Sequence, residues 1–520
     1  MTTILYSNVN IIDIDKFESY ETNLLVEDGV VADIGCNKIC DKNINVIDCS
    51  NLFMLPGFVD SHGHMTHLGK NQYEVDLRDC KSEFEVVKKI KNFLELNSNL
   101  FWINGGGWNQ ETFETKSLPD NEYLSINFPD IPIILSRIDG HATWCNKKAL
   151  DMANIQEYTP VPDGGEILKE DGLLTGILVD KAQQLIRNII PKDNIDDIKN
   201  WILKAQEICL SKGLTEVHDA GISSLQFDAY KELINENKLK IRIYAMANQE
   251  LFENKVSKYK SDLFELRSVK LVADGALGSN GAALIEQYQN LETYGILILD
   301  KSKLKTLFSQ AFSQDFQVCI HAIGDKANRE IIYALREVFE NSDYDQFDHR
   351  TRIEHAQIIK ARDIKEISDL NIITSVQPMH CISDMHMAEE RLGERIKDSY
   401  LWKTLIDNNI LLIGGSDFPV EDSSPLMGIY AAVNRTKFDD TPSGGWQPKE
   451  LLNLKEALEM YTKNTAYGSF KEKIKGNIEI GHIADFTLID RNIITLPNVD
   501  ILKCKISATI VNGEMVYKDF

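Results

Sequence analysis

His62 and His64 stand one residue apart in Leu55-Pro56-Gly57-Phe58-Val59-Asp60-Ser61-His62-Gly63-His64. Alternate side chains of an extended segment share a face, so the two imidazoles would point the same way, with Gly63 keeping the backbone clear between them. Two converging imidazoles make half of a metal site, although a chance His-x-His in a loop reads the same way. Four more possible ligands each lie at or near the end of an apolar run. Lys270 lies in Ser268-Val269-Lys270-Leu271-Val272, His321 closes Val318-Cys319-Ile320-His321, His355 closes Arg352-Ile353-Glu354-His355, and Asp417 follows Gly415-Ser416. Imidazole and carboxylate ligands suit zinc first, with manganese or iron as alternatives. The chemistry such ions supply is the activation of water for hydrolysis.

Residues this far apart converge only if a fold gathers them. Apolar runs of strand length at 57–59, 132–136, 216–218, 269–273, 317–321, 351–355, 372–376 and 410–413 alternate with longer helical stretches, the pattern of a parallel α/β architecture. Eight such strands point to a (β/α)8 TIM barrel, in which the C-terminal strand ends face one pocket. The span 73–190 is too long for one βα unit and reads as an insertion over the barrel mouth. Short β-like runs at 4–6, 9–12, 23–26, 30–34 and 45–48 are matched near the other end by 485–489, 506–511 and 514–517, with Asn512-Gly513 as a hairpin turn. Neither set is large enough alone. The expected domains are therefore a composite β-sandwich from 1–54 and 478–520, and a barrel over 55–477. The polar run 188–200 reads as a solvated connection, and 453–463 as an amphipathic helix.

The 520 residues carry 43% hydrophobic and 26% charged side chains, ordinary for a globular protein able to bury a core. A net charge of −23 argues against binding nucleic acid or anionic membranes and leaves a small-molecule substrate as the expected partner. The nine scattered cysteines contain no Cys-x-x-Cys pair and read as reduced thiols. No signal peptide or membrane-spanning run is visible, so a cytoplasmic protein is expected. A homodimer is the default assembly.

The stretches quoted above, with Val269 to Gly281, His321-Ala322-Ile323-Gly324-Asp325, Arg352-Ile353-Glu354-His355-Ala356-Gln357, Ser375-Val376-Gln377-Pro378-Met379-His380, Gly415-Ser416-Asp417-Phe418-Pro419-Val420 and a closing Gly481-His482-Ile483-Ala484-Asp485-Phe486, resemble the amidohydrolase superfamily. The likeness is to its YtcJ-like branch, which includes N-substituted formamide deformylases, and it runs in family order over nearly the whole chain. The resemblance implies a hydrolase that cleaves an amide-like C–N bond (N-formyl, N-acyl or cyclic amide) through a metal-activated hydroxide. It implies His62 and His64 on the deeper of two metal ions, His321 and His355 on the outer one, and Asp417 as a ligand that also moves protons. Lys270 would bridge the two as a carbamate formed with carbon dioxide. As an alternative, Lys270 pairs with Asp274 in a structural ion pair. The rival functions are a single-metal deaminase of a cyclic amidine, using His62, His64, His321 and Asp417, and a ligand-binding relative without catalysis.

By the same resemblance His141, His218 and His380 stand at pocket positions, with His380 or His141 as stabiliser of an oxyanion, and Asp274 joins the candidate substrate contacts. Gly105-Gly106-Gly107-Trp108 reads either as a lid with an aromatic substrate wall or as a tight turn under a buried tryptophan. Glu354 neighbours His355, and strand alternation turns it away from the ions unless a bulge intervenes. Asn280 and Lys326 stand where arginine is usual. The Asn280 change removes a positive fork near the pocket, so the family's substrate preferences do not carry over.

Overall fold

A computed structural model describes residues 2–36, 44–97, 100–340 and 348–520. The chain divides into two units, one running up to Met65 and resuming at Ile202, the other spanning Thr66–Trp201.

The first unit contains the barrel. Eight strands pair in chain order, each parallel to the next: Phe58–Gly63, Leu214–Ile222, Arg242–Ala247, Phe264–Val272, Gln317–Ala322, Arg352–His355, Ile373–Val376 and Leu412–Gly414. The ring closes just past the last strand, where Gly63 bridges Phe418, the His64 amide donates to the Phe418 carbonyl at 2.9 Å and the Asp417 amide to the His62 carbonyl at 2.7 Å. Helices such as Asp325–Glu340, Pro378–Leu392 and Pro425–Asn434 alternate with the strands. This is the parallel α/β barrel expected from the sequence.

One strand of that expectation was misplaced. Residues 132–136 fall in the other unit, where Ile133–Arg137 pairs with Ile103–Trp108. The third barrel strand is instead Arg242–Ala247, buried at every position. Its opening charge hides it from an apolar-run reading, and the structure explains that charge: the Arg242 Nε donates to Asp485 Oδ2 at 2.5 Å. The aspartate of the closing Ala484-Asp485-Phe486 motif thus fastens the C-terminal strand to the barrel.

The barrel interior is not purely apolar. Glu216, His218, Arg352 and Glu354 have no exposed surface. The members of each pair stand two positions apart on one strand, with a single residue between them, so both face inward. Arg352 donates to Glu354 Oε1 at 2.7 Å and to His218 Nδ1 at 2.8 Å, while Glu216 accepts from Lys475 at 2.6 Å. Burial works to raise the Glu216 carboxyl, but the Lys471 and Lys475 ammoniums, with His218, outweigh it and hold it well below the usual carboxylate range. Removing one member of such a buried set leaves an uncompensated charge, at a cost of about 3–5 kcal/mol.

Strands from both chain ends join in a single eight-stranded sheet, with Phe486–Ile489 antiparallel to Phe53–Pro56. Asn512 and Gly513, with φ of 51° and 74°, make the tight turn between Ile506–Val511 and Glu514–Lys518. The sheet's apolar side chains pack in two clusters, one including Tyr6, Leu24, Met54, Phe486 and Ile510 and a smaller one of Leu5, Leu25 and Cys36. It belongs to the same unit as the barrel.

The Thr66–Trp201 unit is built on a six-stranded sheet whose core packs Trp108 against Trp144. Part of the run expected as a solvated connection is helical, since Ile195–Ser211 forms a helix across the boundary of the two units. Eight of the cysteines lie among the described residues, all buried, and Cys40 lies outside them. Among the described residues no helix is long and apolar enough to cross a membrane.

Candidate metal centre

His62 and His64 emerge from the end of the first barrel strand, and Asp417 from just beyond the eighth. Two close approaches fix their spacing. A side chain at Gly63 would collide with the Phe418 ring at 2.3 Å, and one at Gly415 with the His62 amide at 2.6 Å. The buried Asp60 carboxylate ties the same two strands by accepting from the His62 amide at 2.9 Å and from the Ser416 hydroxyl at 2.6 Å. Burial pushes Asp60 up to about 7 against those hydrogen bonds.

The six candidate ligands, His62, His64, Lys270, His321, His355 and Asp417, line one cavity of about 350 Å³, together with His380. His355 lies between two other imidazoles, with ring centres 5.0 Å from His62 and 4.5 Å from His321. Ligand atoms of His62, His64 and Asp417 lie within 4.8 Å of one another, as do those of His355, His380 and Asp417. Asp417 Oδ1 is 3.1 Å from His64 Nε2 and 3.7 Å from His62 Nε2, and its Oδ2 is 3.9 Å from His380 Nε2. Burial would raise this carboxyl, but the hydrogen bond from His64 and the imidazoles of His62, His355 and His380 hold it far below the carboxylate range.

The hydrogen bonds made by the far sides of the rings set their tautomers. His62 Nδ1 donates to Glu354 Oε2 at 2.5 Å, and His355 Nδ1 donates to Gln377 Oε1 at 2.8 Å. Each ring therefore carries its proton on Nδ1 and presents Nε2 as a donor pair for a metal. Burial lowers both rings, His355 well below the usual imidazole value. His380 Nε2 is buried with no hydrogen-bond partner. Neutral imidazoles and an ionised carboxylate converging on one space are a donor set that fits divalent transition metals.

Lys270 lines the same cavity and makes neither an ion pair nor a hydrogen bond among the described residues, so the pairing with Asp274 is not formed. Burial lowers its ammonium below the ordinary lysine value. Asp274 instead accepts from the backbone amides of Ile323, Gly324 and Ala283 at 3.0, 2.8 and 2.9 Å, clamping the loops behind His321. Its Oδ1 is 3.5 Å from His321 Nε2, and burial pushes it up to about 7.

Other sequence candidates sit differently from the expectation. His218 has no exposed surface and does not line the cavity, because its place on the second strand turns it into the barrel interior beside Arg352. Trp108 is the buried tryptophan of the two readings: it is fully enclosed in the core of its unit and donates to the Leu135 carbonyl at 2.9 Å. His141 is exposed in that same unit and pairs with Asp180 at 2.8 Å. Asn280 holds a buried side-chain oxygen without a partner, and Lys326 opens the helix after His321 with its amide on the Ala283 carbonyl.

Glu354 is the functional residue that sequence reasoning passed over. Strand alternation does turn it from the cavity, but into the barrel interior, where it reaches the back of His62. His355 escapes the alternation because its backbone is left-handed, with φ of 75°, followed by Ala356 at 46°. Asp417 shares the feature at 60°. Non-glycine residues in this region are costly and gather at functional sites. The signal available in sequence was the Arg352-x-Glu354 spacing, which puts an internal counter-ion beside the glutamate.

Comparison with known proteins gives the same direction. A family model described as "Amidohydrolase family" matches residues 45–517. The chain is 33% identical over 509 residues to Bacillus subtilis YtcJ, which is named as an amidohydrolase, covering 95% of each protein. It is 24% identical over 549 residues to the N-substituted formamide deformylase of Arthrobacter pascens, covering 100% of this chain and 99% of that one. Among solved structures, an uncharacterized metal-dependent hydrolase from Pyrococcus furiosus superposes with a TM-score of 0.79 at 28% identity, covering 95% of this chain and 100% of the other.

Proposed function

Because this chain belongs to the amidohydrolase family, we propose that it is a metal-dependent hydrolase that cleaves an amide-like C–N bond of a small molecule, with an N-formyl or N-acyl amine as the first candidate. The reading rests above all on the gathering of His62, His64, Lys270, His321, His355, His380 and Asp417 around one cavity. Likeness to a formamide deformylase supports the bond type.

His62, His64 and Asp417 would hold one divalent ion, zinc first among the candidates, and His321 and His355 a second. Such ions supply Lewis-acid activation of water and of the substrate carbonyl. Lys270 would bridge them. Its lowered ammonium gives access to the neutral amine, which attacks carbon dioxide, forms an N–C bond and releases a proton to leave a two-oxygen carbamate anion. Asp417, ionised at neutral pH, takes the proton of the attacking water and returns it to the departing nitrogen, acting as general base and then general acid. His380, with its free Nε2, faces the developing oxyanion and stabilises it by donating a hydrogen bond. Glu354 and Gln377 keep His62 and His355 in the tautomer that leaves Nε2 free.

The test is turnover of a panel of formamides, N-acyl amines and cyclic amides by protein of known metal content. Release of amine that depends on added zinc, manganese or iron supports the reading. Release of ammonia from cyclic amidines, with one metal ion per chain, would replace it with the deaminase reading.

A further inference from the structure

Beyond the histidines, the wall of the cavity carries a group of hydrogen-bond acceptors set among apolar residues. Gln357 follows the sixth barrel strand, Asp384 lies on the Pro378–Leu392 helix, and Glu421 lies beyond the eighth strand, and all three line the cavity with Ser383. Asp384 Oδ2 accepts from the Tyr400 hydroxyl at 2.9 Å and from Gln357 Nε2 at 3.4 Å. That contact orients the Gln357 amide, since the flipped form would set its oxygen against the carboxylate. Gln357 Oε1 is consequently left buried with no partner, on a side chain only 5% exposed. Glu421 Oε1 accepts from the Ser383 hydroxyl at 2.5 Å. Among the described residues neither Asp384 nor Glu421 forms an ion pair with a lysine, arginine or histidine. Apart from Lys270, no lysine or arginine among the described residues lines the cavity, and the rest of its wall includes Leu277, Ile323, Met387 and Val420.

Two carboxylates without a counter-ion and a buried amide oxygen without a donor call for a group rich in N–H bonds and positively charged. We propose that the substrate carries such a cation, an alkylammonium or guanidinium group seated among Gln357, Asp384 and Glu421, on the amine side of the bond to be cleaved. The inference rests on the hydrolase reading above for which bond reacts. Helix geometry sets the length of the molecule. Asp384 stands four residues after His380, so the two side chains leave the helix on one face about 5–6 Å apart. The apolar residues of the same wall suit a chain of methylene groups, and the spacing matches about three or four carbons between the amide nitrogen and the cation. An anionic substrate of the same length, such as an N-acyl amino acid, would face two like charges.

Three formamides of matched length separate the alternatives on the metal-loaded full chain: mono-N-formyl-1,4-diaminobutane, N-butylformamide and 4-formamidobutanoate. Equilibrium binding is measured by calorimetry and turnover by amine release. The cationic probe should bind about 10- to 100-fold more tightly than the neutral one, the range for charge-assisted hydrogen bonds, and the anion least. Glu421→Gln, at a residue whose carboxylate takes only the Ser383 hydroxyl, and Asp384→Asn should each bring the cation towards the neutral probe, with metal content as the check on folding. Equal binding of all three, preference for the anion, no binding of the cation at millimolar concentration, or a preference that survives both substitutions would overturn the proposal. If the cation binds best and none of the three is cleaved, the cationic subsite stands and the formamide reading falls.

Discussion

His62 Nδ1 and Glu354 Oε2 are 2.5 Å apart, with the histidine on the first barrel strand and the glutamate on the sixth. The hydrogen bond crosses the barrel interior and is backed by Arg352, which donates to both oxygens of the same carboxylate. It fixes the ring's rotation and its tautomer together. The ring's other nitrogen reaches the cavity because this bond exists.

Glu354→Gln keeps the size of the side chain and removes its charge. We expect metal affinity to fall by about 10- to 100-fold, the usual effect of losing such a supporting partner. Competition with a chelator of known affinity measures it. An unchanged affinity would make the pair a structural contact only.

Asp417→Asn removes the proton carrier. Turnover should drop by about 10²–10⁴-fold, the contribution of a positioned acid or base. Rates are compared per bound metal, because the same residue is also a candidate ligand. Full turnover with metal retained would end the proton-transfer assignment.

Trp108→Ala should destabilise the Thr66–Trp201 unit by about 3–5 kcal/mol, the cost of emptying a large core site. Denaturant unfolding followed by tryptophan fluorescence or circular dichroism reads this directly. A stability close to that of the parent protein, with a raised KM, would return Trp108 to the substrate wall.

Acid should weaken the fold through Glu216. Its carboxyl is held well below the ordinary value in the folded chain and reverts to about 4.5 when unfolded. The unfolded chain therefore binds more protons as pH falls below about 4.5, and stability present at neutral pH is progressively lost. Glu216→Gln should be less stable at pH 7 and lose less between pH 5 and 3. Parallel pH profiles for the two proteins would contradict the assignment.

Much of the barrel was legible in the sequence, because strands such as Gln317–Ala322 and Ile373–Val376 are buried on both faces and are built mainly of apolar and β-branched residues. The six ligand candidates were legible for a related reason, each lying at or near the end of such a strand. Arg242–Ala247 was not, since its first residue is a charge whose partner, Asp485, lies 243 positions away. Nor was Ile133–Arg137 distinguishable from a barrel strand, because parallel pairing inside the other unit produces the same apolar run. Glu354 escaped notice because a period of two says which way a side chain turns and not what waits there. The lone pocket histidines show the same limit: His380 reaches the cavity from a helix, whereas His218 is enclosed beside Arg352.

The most direct measurement is the number of metal ions bound by the freshly purified chain and by Lys270→Ala, determined by elemental analysis alongside protein concentration. The account predicts two per chain for the parent and a loss of at least one in the variant, with the fold intact by circular dichroism. Two ions retained by Lys270→Ala, or no transition metal bound by the parent after incubation with zinc, manganese and iron, would contradict it.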